Sequence, residues 1–259
     1  MSTQITTELI KELRDSTGIS VMQCKRALEE AEGDMNKALA ILKKTSSDIA
    51  LKKGDRAVHD GAVVIKSNAS KAILLPLHCE TDFVSRNEDF TTLLSKLGDL
   101  ALSEGIDKMK NEAKGMIDGV IQKTGENIQL GDISEVSGDV LGTYVHNNKV
   151  GVIVSLVGGT PDLARDIAMH ITAMKPEYIT ETEISEEIKT TMKEIFEKEV
   201  ASMDKPEEIK KKMLDGKINT YFKEKTLLSQ SFIKDGDQTV GQLLDKNKAK
   251  IKEVQRYSI

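Results

Sequence analysis

The side chains best suited to acid–base, nucleophilic or metal chemistry are four histidines (His59, His78, His146 and His170) and two cysteines (Cys24 and Cys79). They never cluster at metal-ligand spacing, so no metal site is expected. His78-Cys79 has the composition of a thiol–imidazole pair, but neighbours on a strand point to opposite faces and cannot share a proton there. Cys24 and His170 each stand within an apolar helical stripe. The first reads as core filler and the second as a satisfied core or edge residue. No Gly-rich phosphate cradle of the P-loop or dinucleotide-binding kind is present, and Gly158-Gly159 fits a strand-to-helix turn better than an anion site. Neither catalytic residues nor a cofactor are therefore expected.

One segment is odd on physical grounds. Glu80-Thr81-Asp82-Phe83-Val84-Ser85-Arg86-Asn87 leaves a strand and enters a helix, polar around one large aromatic and without a clean period. A phenylalanine in such a place either folds back into the core or stands exposed for a partner, and pattern alone favours the core. Exposed, Phe83 beside Asp82 would make an apolar wedge with an acidic shoulder, a device suited to prying open a neighbour's pocket.

The elements that must position these residues are legible as periodic stripes. Ile5, Leu9, Ile10 and Leu13 recur at helical spacing, and Gly18 ends that segment. Ser20 and Gln23 make a capping-box pattern ahead of Cys24, Ala27, Leu28 and Ala31. Gly33-Asp34 opens a third helix along Met35, Ala38, Leu39 and Leu42. Residues 1–44 thus read as a three-helix bundle resembling ubiquitin-associated domains. Residues 45–60, polar and Lys-rich, read as a linker with some helical character near Ile49-Ala50-Leu51.

Beyond it, 61–67 and 71–78 read as a hairpin, followed by a helix bearing Phe90, Leu93, Leu94, Leu97 and Leu100. Residues 140–145 and 150–157, turning at Asn147-Asn148, repeat that pattern before a helix with Leu163, Ile167, Ile171 and Met174. Thr160 and Pro161 mark its start. Between the two, 106–123 reads as helix and 127–136 as strand. The expected fold class is α+β, with related antiparallel-sheet-plus-helix subdomains at 61–137 and 138–184. Residues 185–226, with Ile188, Met192, Ile195, Phe196 and Val200 answered by Ile209, Met213, Leu214, Tyr221 and Phe222, read as a coiled-coil hairpin. Residues 227–259 return to the core through a second capping box, Thr239–Gln242, and a final strand at 254–259.

Composition bounds the class further. The 259 residues carry 37 Lys+Arg against 42 Asp+Glu, a formal charge of -5, with 3% aromatics and no Trp. A slightly acidic chain poor in stacking rings is a weak candidate for gripping nucleic acid. No apolar run approaches the roughly 20 residues of a membrane helix, and Glu8 and Lys11 interrupt the first apolar stretch, so neither a membrane span nor a secretory leader is expected. Two cysteines cannot build a disulfide framework, which points to a reducing, cytoplasmic setting.

Six runs occur together in an order and spacing that belong to one family. They are Leu13-Arg14-Asp15-Ser16-Thr17-Gly18, Cys24-Lys25-Arg26-Ala27-Leu28, Thr81-Asp82-Phe83-Val84, Ile167-Ala168-Met169-His170, Lys175-Pro176 and Thr239-Val240-Gly241-Gln242-Leu243-Leu244. Over nearly its full length the chain resembles the translation elongation factor Ts family, guanine-nucleotide exchange factors of elongation factor Tu.

The resemblance implies a non-enzymatic factor that binds the GDP-bound and nucleotide-free partner, as a heterodimer or a pair of heterodimers. It implies that Asp82 and Phe83 intrude near the partner's magnesium and phosphates, with Thr81 and Val84 fixing the turn. It further implies that His170 and Val150-Gly151 meet the same GTPase domain, that Lys25 belongs to an N-terminal contact, and that Val240 makes another. Glu80 departs from the family's usual Gln and is expected to add charge beside the wedge. The alternative reading is an adaptor that recruits partners through its three-helix domain.

Overall fold

The first helix, α1 (Thr7–Thr17), begins where the Thr6 hydroxyl accepts the Leu9 N–H, and it ends at Gly18 in the left-handed conformation that a C-cap asks for. Helices α2 (Val21–Glu30) and α3 (Met35–Lys53) complete the N-terminal bundle. Leu13, Cys24, Ala27, Leu28, Ala31, Ala38 and Leu42 bury its core. The capping box expected at α2 is half formed: Ser20 Oγ accepts the Gln23 N–H at 3.4 Å, while the Gln23 side chain takes the Ser20 hydroxyl instead of its amide. The computed structural model describes residues 5–259 and divides them into two units.

The first unit holds the described residues up to Glu135 together with Val145–Gly151 and Tyr257–Ile259. Here α3 runs on to Lys53, through much of the stretch expected to be a linker. The reason is a stripe that continues in small residues: after Ala38 and Leu42, Ser46 and Ala50 are buried too, each four residues apart. Ser46 and Ser47 meet α6 (Ile106–Thr124) through the side chains of Gln122 and Asp118. Small polar side chains that bond across a close helix contact carry little hydrophobic signal, so the periodicity faded before the helix did.

Strands β1 (Asp60–Ser67) and β2 (Lys71–Cys79) form the expected antiparallel hairpin, with Val63 opposite Pro76 and Asp60 opposite Cys79. Asn68 Oδ1 closes its turn by accepting the N–H groups of Ser70 and Lys71, each at 2.9 Å. After the single turn α4 (Asp82–Ser85), helix α5 (Glu88–Glu104) lays Phe90, Leu93, Leu94, Leu97 and Ala101 on the sheet. The segment expected as one strand over 127–136 is two: β3 (Ile128–Leu130), which pairs with β2, and β4 (Ser134–Ser137). The break falls at Gly131, whose N–H turns to the Pro76 carbonyl at 3.0 Å.

The second unit comprises Val136–Tyr144 and Val152–Arg256. Strands β5 (Val140–His146) and β6 (Val150–Val157) repeat the hairpin motif, and β9 (Lys250–Ser258) joins them in the order β5-β6-β9. Asn147 and Asn148 both take positive φ, 49° and 56°, as a two-residue hairpin turn of matching twist requires. Helix α7 (Pro161–Met174) opens as its sequence demands, with Thr160 Oγ1 accepting the Leu163 N–H at 3.2 Å. It packs so close that a Cβ at Gly142 would overlap the backbone of Ala164 and Arg165. Helices α8 (Glu186–Ala201) and α9 (Glu207–Lys225) fold against each other as a hairpin, with the Phe196 and Tyr221 rings edge-on at 5.6 Å. The short strands β7 (Ser231–Phe232) and β8 (Asp235–Thr239) then lead into α10 (Val240–Lys246). Its capping box is complete, with Thr239 N–H on Gln242 Oε1 at 2.8 Å and Gln242 N–H on Thr239 Oγ1 at 3.2 Å.

Candidate functional site

The odd segment after β2 begins with three residues that are each tied down. The Cys79 thiol donates to the Thr81 carbonyl at 3.1 Å. Glu80 Oε1 accepts the Asn127 N–H at 2.7 Å and lies 3.5 Å from Arg56 Nη1. Glu80, expected to add charge beside the wedge, thus sets its carboxylate against that amide and that guanidinium. Thr81 gives both its donors to Glu126, the N–H to Oε2 at 3.0 Å and the hydroxyl to Oε1 at 2.6 Å.

The four residues of α4 follow, and a single turn can bury only one face. Val84 and Ser85 take that face, Val84 joining the core of Cys79 and Phe90. Phe83 is left outside with 83% of its surface exposed. The expectation from pattern, that this ring folds into the core, is therefore corrected. Asp82 is half exposed beside it, its Oδ2 3.2 Å from Arg86 Nη2.

From the other side the turn is held by Lys149. Its ammonium donates to Asp60 Oδ1 and to the Gly61 carbonyl, each at 2.6 Å, and reaches Ser85 Oγ at 3.4 Å. Lys149 immediately precedes Val150, which is half-buried, and Gly151, which is buried against Leu74 and Ile65. Lys25 stands apart on α2, exposed and 3.7 Å from Glu29.

In the second unit His170 is fully buried. Its Nδ1 accepts the Ile233 N–H at 3.2 Å, which leaves Nε2 to donate to Gln230 Oε1 at 2.8 Å. Burial lowers its pKa below the ordinary 6.5, partly offset by the Gln230 bond. Val240 is buried as well, its N–H on the Gln230 carbonyl at 3.0 Å. The two residues thus converge on Gln230, and the side chain held outward nearby is Ile233, half exposed. Glu126, Lys149, Gln230 and Ile233 escaped the sequence reading, because each acts on residues distant in the chain and none belongs to a recognisable motif.

His78 and Cys79 are occupied separately, as their strand parity requires. His78 Nε2 lies 2.8 Å from the Tyr257 hydroxyl. The Cys79 thiol is pushed up to about 12, chiefly by burial and further by the carboxylates of Asp60 and Glu126. A thiol so basic stays protonated at neutral pH and is a poor nucleophile. Among the described residues no group of three or more His, Cys, Asp or Glu is arranged to hold a metal ion, and no helix is long and apolar enough to cross a membrane.

In class, the fold and this site describe an α+β protein whose outstanding built feature is a rigidly mounted, exposed aromatic turn. Comparison with known proteins supplies the family. A family model described as Elongation factor TS matches residues 80–259. The elongation factor Ts of Hahella chejuensis is 40% identical over 98% of this chain and 92% of its own length. That of Thioalkalivibrio sulfidiphilus is 37% identical over the same shares, and that of a Psychrobacter species 35% identical over 99% and 91%. The chain belongs to the elongation factor Ts family, and is with it a translation elongation factor.

Proposed function

We infer that this protein is a guanine-nucleotide exchange factor for elongation factor Tu, acting in the cytoplasm and by contact alone. It binds the GDP complex, inserts the turn Thr81–Val84, dislocates the partner's Mg²⁺ and releases GDP so that GTP can bind. The observation that carries the reading is Phe83, exposed to 83% on a turn held at Thr81 by Glu126 and at Ser85 by Lys149. An apolar ring held in water by a stiff frame gains free energy only when something covers it.

The physics of release is linkage. A factor that prefers the nucleotide-free GTPase must weaken GDP binding by the same ratio by which GDP weakens the factor's own binding. A Mg²⁺ held by the partner would help retain the nucleotide's phosphates, so dislodging it would weaken GDP binding. Each tenfold gain in release rate needs about 1.4 kcal/mol off the barrier. Lys25, Val150 and Gly151 supply further contacts on this reading, whereas His170 and Val240, both buried, act by fixing the β7–β8 turn that carries Ile233.

Stopped-flow release of fluorescent GDP from elongation factor Tu tests the wedge directly. An aromatic anchor at a contact is worth about 2 kcal/mol or more, so Asp82→Ala with Phe83→Ala should slow release by about 30-fold. Wild-type rates in that double variant would sink the mechanism.

A further inference from the structure

Glu126 sits in the tight exit of α6, directly after Gly125, which takes a left-handed φ of 77°. From there its carboxylate accepts the N–H and the hydroxyl of Thr81, at 3.0 and 2.6 Å. In return Glu80 accepts the N–H of Asn127 at 2.7 Å. The segment leaving β2 and the segment leaving α6 therefore hold each other by reciprocal carboxylate-to-amide bonds. Asn127, itself buried, fastens the pair to the end of α3 by donating from Nδ2 to the carbonyls of Gly54 at 3.2 Å and Arg56 at 2.7 Å.

This clasp changes what Thr81 does. Thr81 stands at the N-cap of α4, where a threonine hydroxyl would ordinarily accept a helix N–H, yet it caps nothing. Its hydroxyl goes to Glu126 instead. The direction of α4 is thus set from outside the helix, by a carboxylate that grips the cap residue at two points. Two charge-assisted bonds to one residue remove rotation as well as translation.

Resting on the exchange reading above, we propose that Glu126 is a positioning residue for nucleotide exchange. It fixes Thr81, and through Thr81 the line along which Asp82 and Phe83 project. Binding contacts elsewhere on the protein do not depend on it. Its loss should therefore slow the committed step more than it weakens association.

The test measures GDP release from elongation factor Tu across a range of factor concentrations, using the full chain. Misplacing a contacting group by about 1 Å costs up to about a hundredfold; Glu126→Ala should accordingly lower the maximal release rate about tenfold while half-saturation moves less than about threefold. In a Phe83→Ala background the same substitution should cost much less, since the ring is gone and only Asp82 is left to aim. Glu126→Gln, whose amide can meet both Thr81 groups, should recover most of the rate.

Thr81→Val removes only the hydroxyl leg and should fall between wild type and Glu126→Ala; it serves as the decisive variant if circular dichroism shows Glu126→Ala to be unfolded. A wild-type maximal rate in Glu126→Ala, or in Thr81→Val where that variant decides, overturns the inference. So does a loss of equal size with and without Phe83. If Phe83→Ala alone releases GDP as fast as wild type, the exchange reading falls first and this inference with it.

Discussion

Lys149 Nζ stands 2.6 Å from Asp60 Oδ1, and within the first unit this pair ties the turn in Val145–Gly151 to the start of β1. Because the same ammonium also reaches Gly61 and Ser85, one cation gathers the hairpin turn, the first strand and the last residue of α4. Glu126 holds the other end of that helix through Thr81. The aromatic turn is consequently clamped fore and aft, by one carboxylate and one ammonium, each from a separate part of the chain.

The Asp60 carboxyl lies below its ordinary 3.8: burial acts to raise it, but bonds from Lys149, Ser85 and the Gly61 amide, with the ammonium's charge, outweigh that. A carboxyl more acidic in the fold than in the unfolded chain stabilises the fold when ionised. That contribution is complete above pH 3.8 and is lost as pH falls through the lower folded value. The pair is a quarter to a third exposed, so Asp60→Asn should cost only about 1 kcal/mol at neutral pH. Urea denaturation from pH 7 downwards checks it: the gap to wild type should close in acid, and a constant gap contradicts the assignment.

His170 works in the same sense at higher pH. Burial favours the neutral imidazole, so its stabilising share is whole above the ordinary 6.5 and is lost as pH falls through the lowered folded value. His170→Leu leaves the Ile233 N–H and Gln230 Oε1 without partners and should cost about 2–3 kcal/mol near pH 7.5. Repeating the denaturation in mild acid should show a smaller difference from wild type.

Neighbours on α4 should separate function from stability. Phe83 is outside the core, so Phe83→Ala should move the unfolding free energy by no more than about 0.5 kcal/mol. Val84 is inside it, and Val84→Ala should cost about 2 kcal/mol. Thermal melts of the two variants, compared with their GDP-release rates, would show the opposite ranking in activity. Equal destabilisation would mean that the ring packs against the protein.

At Gly142 sheet and helix approach closely in the second unit. A Cβ there overlaps the backbone of α7, which cannot step aside as a flexible side chain would. Gly142→Ala should therefore destabilise by about 3 kcal/mol. Gly236→Ala, where nothing lies within 4 Å, is the matched control and should leave the melting temperature nearly unchanged.

Much of the fold was legible because it is local. The Thr160-Pro161 start of α7, the Thr239–Gln242 box and the Asn147-Asn148 turn are each written within a few residues, and each forms as written. The extension of α3 was not legible, since Ser46 and Ala50 contribute closeness rather than hydrophobicity. The α4 site was half legible: its residue types stood out as a motif, but which way the ring points did not.

By itself, then, the sequence determined the α+β class, the order of its elements and the family it resembles, because caps, turns and periodic stripes depend on neighbours in the chain. Only the tertiary structure decided that Phe83 faces water while His170 and Val240 are sealed inside. A four-residue helix has no apolar stripe long enough to choose its own inward face. That choice falls to Glu126, Lys149 and the core around Val84, which meet the turn only once the chain is folded.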